Sequence, residues 1–99
     1  MDKKQLRAIG HHLKPTIIVG QKGITESLLA ETGRSLSDHE LIKVKFSSLD
    51  RELRKQQIEE ICKTCKAELI QNVGKIALLL RKNSQPNPKT SNLIRALAN

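Results

Sequence analysis

Gly20-Gln21-Lys22-Gly23 follows a compact apolar run, Ile17-Ile18-Val19, and precedes a segment patterned as a helix. Glycine lacks a Cβ, so the backbone here can take positive φ and come close to a ligand. The first N–H groups of the following helix point into the same space and carry the positive end of its dipole. Lys22 adds a mobile positive charge at the tip. A turn of this build suits a phosphate group. By itself it also reads as ordinary turn chemistry between a strand and a helix. The patterns G-x-x-x-x-G-K-[ST] and G-x-G-x-x-G are both missing, so neither a P-loop nor a dinucleotide cradle is indicated.

Other residues could also do chemistry. Cys62-Lys63-Thr64-Cys65 is a C-x-x-C, but a zinc site needs two more ligands and no second C-x-x-C exists. A redox pair of the thioredoxin kind opens a helix, where the dipole lowers the thiol pKa. These cysteines fall late in a helical segment, on its apolar stripe. They read as buried, inert thiols, with redox or metal roles as the alternatives. His11, His12 and His39 are candidates for general acid–base work, but the sequence sets no Ser, Cys or Asp partner beside His39. His12 reads as solvent-exposed or as lying near a ligand-facing end of its helix. Asp50 and Glu52 are explained as helix-cap residues. No catalysis, metal or cofactor is expected.

The chain has 99 residues, enough for a single small core. Only Phe46 is aromatic among 37% hydrophobic residues, so the core must be built from Leu, Ile, Val and Ala. Eighteen Lys plus Arg against 10 Asp plus Glu give a net charge of +8. A small domain this basic is expected to meet a polyanion, either nucleic acid or an anionic membrane. Excess lysine that only aids solubility is the plainer alternative. An amphipathic helix with bulky aromatics is absent, which argues against the membrane. The lack of Trp and Tyr argues against stacking bases on aromatic platforms, so contact through phosphates and shape is expected. The longest apolar run, Ile76–Leu80, is far short of a membrane span. The charged start MDKKQLRAIG lacks a secretory h-region, so a cytoplasmic location is expected.

These residues need elements to hold them. Leu6, Ile9 and Leu13 recur at helical spacing within residues 2–13, with Lys3, Lys4 and Arg7 on the other side. A first helix is expected there, weakened by Gly10 and stopped before Pro15. Thr16–Val19 reads as a short buried strand. Thr25 is placed to cap a helix running to about Ser35 that buries Leu28, Leu29 and Leu36, with Glu26 in its first turn. Next, Ile42, Val44 and Phe46 alternate with Leu41, Lys43 and Lys45, giving a strand with one apolar face and one lysine-bearing face. Asp50 caps a third helix, Arg51–Lys66, with an apolar stripe of Leu53, Ile58, Ile61, Cys62 and Cys65. Glu68–Val73, Gly74 and Lys75–Arg81 read as strand, turn and strand, giving Leu69, Ile76, Leu78 and Leu80 to the core.

Residues 1–82 therefore form one domain of order α-β-α-β-α-β-β, a compact α/β sandwich with helices flanking a four-stranded mixed sheet. Residues 83–99 form a polar tail. Its proline-bearing start should lack regular structure, and Asn92–Ala98 forms a short helical turn that docks or frays.

Three stretches, KPTIIVGQKGITESLLAE, HELIKVKF and VGKIALLLRK, occur in this order within residues 3–82. Together they resemble the CRM domain, the chloroplast RNA-splicing and ribosome-maturation module, in its stand-alone bacterial YhbY-type form. The resemblance implies an RNA-binding domain without enzymatic activity, with a fold similar to the C-terminal domain of bacterial translation initiation factor three. It also implies association with precursors of the large (50S) ribosomal subunit. The family's binding loop maps onto Gly20, Gln21, Lys22 and Gly23, and basic positions beside it map onto Lys14, Lys43 and Lys45. The chain departs from the family at Leu80-Arg81, where a Tyr-Arg pair is common. Its tail beyond Lys82 has no counterpart, leaving Lys89 and Arg95 unassigned.

The expectation is a non-catalytic monomer that binds structured ribosomal RNA during large-subunit assembly. The glycine turn and the helix start at Thr25 would lie against the backbone, with Lys22 bridging a phosphate. Lys14, Lys43 and Lys45 extend the positive surface. Lys3, Lys4 and Arg7 are either a flank of that surface or a solvated helix face. Affinity would fall steeply with salt through counterion release, and specificity would come from RNA shape and 2′-hydroxyl contacts. The competing expectation is a basic protein–protein adaptor on a ribonucleoprotein particle, which would keep its partner after nuclease treatment.

Overall fold

The computed structural model describes residues 1–98. The elements are α1 (Lys3–His11), β1 (Pro15–Val19), α2 (Glu26–His39), β2 (Leu41–Phe46), α3 (Arg51–Cys65), β3 (Glu68–Val73), β4 (Ile76–Leu80) and α4 (Asn92–Leu97). The strands form one sheet in the order β1-β2-β4-β3. β1 runs parallel to β2, and the other two pairings are antiparallel. A parallel pair needs a crossover, and α2 supplies it. The sheet is mixed and four-stranded, as its sequence predicts.

Helices cover both faces of the sheet. On one face, Leu36 of α2 and Ile58, Ile61 and Cys65 of α3 pack on Ile17, Val19, Ile42, Val44, Phe46, Ala77 and Leu79. On the other, Leu6 of α1 and Leu93 of α4 pack on Leu41, Ile70, Leu78 and Leu80. This second cluster explains why Leu41 is 0% exposed, although it shares a strand face with Lys43 and Lys45.

Local chemistry sets the helix ends. Asp2 and Gln5 form a capping box at α1, with reciprocal hydrogen bonds of 2.8 and 3.0 Å. Asp50 accepts from the amides of Glu52 and Leu53 at the start of α3. Gly10 does not weaken α1 so much as let it dock. It is buried, and a Cβ there would stand 2.6 Å from Leu78 Cδ2. α2 continues past Ser35 to His39, because Leu36 extends its apolar stripe and is fully buried. Glu40 then ends it, held at φ +63.

Two leucines expected in the core stand at its edge, Leu53 at 41% exposed and Leu69 at 38%. A register shift between Leu69 and Gln71 turns Ile70 into the α1-side cluster instead.

The tail docks. Ser91 Oγ donates to Glu40 Oε1 at 2.6 Å, and Asn83 N–H donates to Glu40 Oε2 at 2.7 Å. Asn92 Nδ2 donates to the Leu41 carbonyl at 2.7 Å, and Leu93 is buried beside α1. Residues 82–91 carry neither helix nor strand, as expected.

Candidate nucleic-acid interface

The glycine turn is closed by one hydrogen bond, from Gly23 N–H to the Gly20 carbonyl at 3.1 Å. Gly23 sits at φ +71, in the left-handed region where a side chain would be strained. Gly20 has open space around it, with nothing within 4 Å of a built Cβ. Gly20, Gln21 and Lys22 are all exposed. Thr25 caps α2 as expected, its Oγ1 accepting the Leu28 N–H at 3.1 Å. That hydroxyl is engaged, so the amides of Glu26 and Ser27 are the remaining donors of the helix start. Glu26 lies in the same first turn, where its carboxylate already complements the dipole.

Strand topology decides what stands next to this turn. Parallel pairing sets the ends of β1 and β2 side by side, Val19 opposite Phe46, with Ser47 N–H donating to the Val19 carbonyl at 2.9 Å. Antiparallel pairing brings the β3–β4 turn to the same end, where Phe46 N–H donates to the Lys75 carbonyl at 2.8 Å. Residues 20–23, Ser47-Ser48 and Gly74-Lys75 therefore share one end of the sheet.

Just behind them a row crosses all the strands. Ile18 pairs with Lys45, Lys45 with Ile76, and Ile76 with Val73. Ile18 and Val73 are each 64% exposed, so the helices leave this row open. Lys43 lies one pair further back, opposite Pro15 and Leu78. With Arg7, His11, Gln71 and Val73 it lines a groove of about 350 Å³ between α1 and the sheet.

The structure thus groups Lys22 and Lys45 at the loop end and Arg7 with Lys43 behind them. Lys75 joins the loop end although sequence reasoning misses it, because its place follows from strand order. Lys14 precedes β1, a strand length of roughly 15 Å from the loop. Lys3 lies at the opposite end of the sheet, 4.0 Å from Glu68. Lys4 is exposed on the same first turn of α1. Neither Lys3 nor Lys4 joins the loop. Among the described residues Lys3–Glu68 is the one ion pair, so Lys22, Lys43, Lys45 and Lys75 keep their charge unopposed at contact range.

The other chemistry-bearing residues have structural settings. Cys65 is buried and its thiol reaches the Leu29 carbonyl at 3.6 Å. Burial pushes the Cys62 thiol above its ordinary range, and the neighbouring Cys65 adds to the rise. Burial also raises Cys65, against an opposing pull from Arg81. Raised thiols are poor nucleophiles at neutral pH. Among the described residues no group of three metal-ligating side chains occurs. His39 Nδ1 lies 2.9 Å from the Thr90 carbonyl, holding the tail.

Arg81, which the sequence does not mark as structural, donates to the Gly33 carbonyl, Ser37 Oγ and the Cys65 carbonyl at 2.7, 2.8 and 2.8 Å. It ties α2 to α3 and is spent there. No helix among the described residues is long and apolar enough to cross a membrane.

Residues 1–81 match the family model of the CRS1 / YhbY (CRM) domain. A Pseudomonas aeruginosa protein, named Probable RNA-binding protein PA4753, is 50% identical over 93 residues, covering 94% of this chain and 89% of that one. An RNA-binding protein of Haemophilus influenzae is 40% identical over 83 residues, covering 84% of each. The fold is also similar to the solution structure of the Staphylococcus aureus hypothetical protein SAV1595. That match has a TM-score of 0.74 and 26% identity, over 84% of this chain and 86% of the other.

Proposed function

Because the chain belongs to the CRS1 / YhbY (CRM) domain family, we propose that it is a non-catalytic protein that binds structured RNA through the 20–23 loop and the basic end of the sheet. We assign its target to ribosomal RNA of the assembling large subunit. The names of the two bacterial relatives support RNA as the partner. The observation that carries the loop assignment is the convergence of Lys22, Lys45 and Lys75, free of ion pairs among the described residues, around an exposed glycine turn at a helix start.

The chemistry is that of backbone recognition. Exposed backbone at Gly20 and Gln21 admits a phosphate closely, and Lys22 neutralises it. Lys45, Lys75, Lys43 and Arg7 continue the positive track across the open face. Glu26 limits how far a phosphate advances onto the helix start, so the lysines rather than the dipole supply most of the attraction. A sheet face with aliphatic Ile18, Ile76 and Val73 offers no aromatic platform, which favours shape over base stacking.

The test is fluorescence anisotropy with structured fragments of large-subunit ribosomal RNA. A Gln21→Asp/Lys22→Asp variant should keep its circular dichroism spectrum and lose at least about tenfold in affinity, or roughly 1.4 kcal/mol. Equal binding by variant and wild type would move the site off the loop. If neither binds and a protein partner survives nuclease treatment, the protein is an adaptor and the RNA assignment is wrong.

A further inference from the structure

Between the glycine turn and α3 lies a second groove, of about 340 Å³, lined by Gly20, Gln21, Ser47, Ser48, Leu53 and Gln57. Gln57 is 8% exposed, and its Oε1 is buried without a hydrogen-bond partner, the one such side-chain atom among the described residues. Its amide packs beneath the turn, with Nε2 3.6 Å from where a Cβ on Gly23 would stand. Burying a carbonyl without a partner costs folding free energy. A leucine would fill this helix position without that cost, so the amide calls for a ligand that satisfies it.

The donor set defines the ligand. As placed, Oε1 only accepts, so the group it meets must donate, which a phosphate does not. The amide turns about its last torsion, which has a broad two-fold profile, and can present an acceptor or a donor pair. That matches the mixed donor and acceptor edge of a nucleobase. Leu53, 41% exposed beside it, offers an apolar surface to the flat face of a base. Ser47 and Ser48 also line the groove, Ser48 Oγ accepting from the Asp50 amide. The groove also adjoins the loop assigned above to phosphate, so one nucleotide can set its phosphate on Gln21-Lys22 and its base against Gln57. A base-paired nucleotide keeps its Watson–Crick edge and its faces engaged in the helix, so an unpaired base is the one that can enter the groove.

We propose that this groove seats a single unpaired RNA nucleobase, read by the Gln57 amide and packed on Leu53. The proposal rests on the RNA-binding assignment of the loop. It adds a base-contacting subsite to a surface otherwise suited only to backbone and shape.

The experiment uses the full chain and a hairpin RNA in which each loop nucleotide in turn is made abasic. Wild type should lose about fivefold, the size of one hydrogen bond, when the seated base is removed. Gln57→Leu, which also relieves the buried orphan, should bind the intact hairpin as weakly as wild type binds the abasic one. It should lose nothing further on the abasic RNA, and its salt slope should match wild type. Leu53→Ser, at a part-exposed position that tolerates change, should behave in the same direction. Retention of the abasic penalty by both variants would overturn the proposal, as would a wild type indifferent to every abasic substitution while still binding RNA with a steep salt slope. Absence of RNA binding by the wild type would instead overturn the loop assignment and this subsite together.

Discussion

Replacing Lys45 with Gln should flatten the salt dependence of RNA binding, whereas Lys3→Gln should leave it unchanged. Lys22, Lys45 and Lys75 stand at the loop end without ion pairs among the described residues. Counting these three alone, with one phosphate neutralised by each, the slope of log affinity against log salt is about −2 to −2.7, from roughly 0.7–0.9 per contact, and Lys43 and Arg7 steepen it equally in wild type and variant. A fourfold rise in salt, from about 50 to 200 mM, then lowers affinity roughly 20- to 40-fold. With Lys45 removed the slope falls to about −1.4 to −1.8, and the same rise costs only roughly 7- to 12-fold.

Lys3 is the matched control. It carries the same charge at the other end of the sheet, and its 4.0 Å pair with Glu68 joins side chains 61% and 60% exposed. Such a pair contributes well under about 1 kcal/mol to folding. Anisotropy titrations at four salt concentrations, with circular dichroism on each variant, give the slopes directly. Equal flattening by both variants would mean that RNA senses the net charge of +8 and not its placement. No change in either would remove the sheet end from the interface.

Gly10→Ala should destabilise the fold by about 1 kcal/mol in urea melts. The gain in helix propensity of about 1 kcal/mol is outweighed by overpacking of about 1–3 kcal/mol against Leu78 methyls 2.6 and 2.8 Å from the new Cβ. A stabilised variant would show that Leu78, 2% exposed, has room to move. Arg81→Met should cost about 2–4 kcal/mol, because three hydrogen bonds to α2 and α3 are lost together. An unchanged midpoint would show that water replaces them freely. Stability should also fall as pH rises above about 9. Folding raises both thiols, so unfolded cysteines lose their protons first and draw the equilibrium toward the unfolded chain. The loss is confined to that window, and a Cys62→Ala/Cys65→Ala variant should lack it. The same pH slope in that variant would assign the effect elsewhere.

Residues with one periodic pattern were the ones legible in the sequence. Leu6, Ile42, Val44, Phe46, Ile58 and Ile61 are all buried where their spacing puts them. Thr25 and Asp50 cap the helices they precede. The misses share a cause, dependence on partners distant in the chain. Leu41 alternates with lysines yet is buried, because α4 returns to cover that end of the strand. Leu69 alternates correctly until a register shift, set by pairing with β4, turns its neighbour inward. Lys75 is ordinary hairpin lysine until strand order places it beside the glycine turn. Gln57 reads as a polar residue on an amphipathic helix, and only the turn packed over it makes it buried.

The segment HELIKVKF shows why a motif can look uniform and yet divide. Its first three residues hold the tail. His39 lies against the Thr90 carbonyl, Glu40 accepts from Asn83 and Ser91, and the Leu41 carbonyl accepts from Asn92. Glu40 does this from φ +63, a conformation that costs a non-glycine residue free energy. The four contacts and the burial of Leu93 offset that cost. Lys43 and Lys45, further along the same strand, are not drawn into ion pairs among the described residues. The sheet is therefore closed at one end by its own chain and left basic and open at the other. A tail that secures Glu40 also fixes the start of β2, whose register carries Lys45 to Ile18 and the glycine turn. The proposed binding surface and the tail are coupled through one strand, so loosening the Glu40 contacts should blur the lysine positions before it unfolds the core.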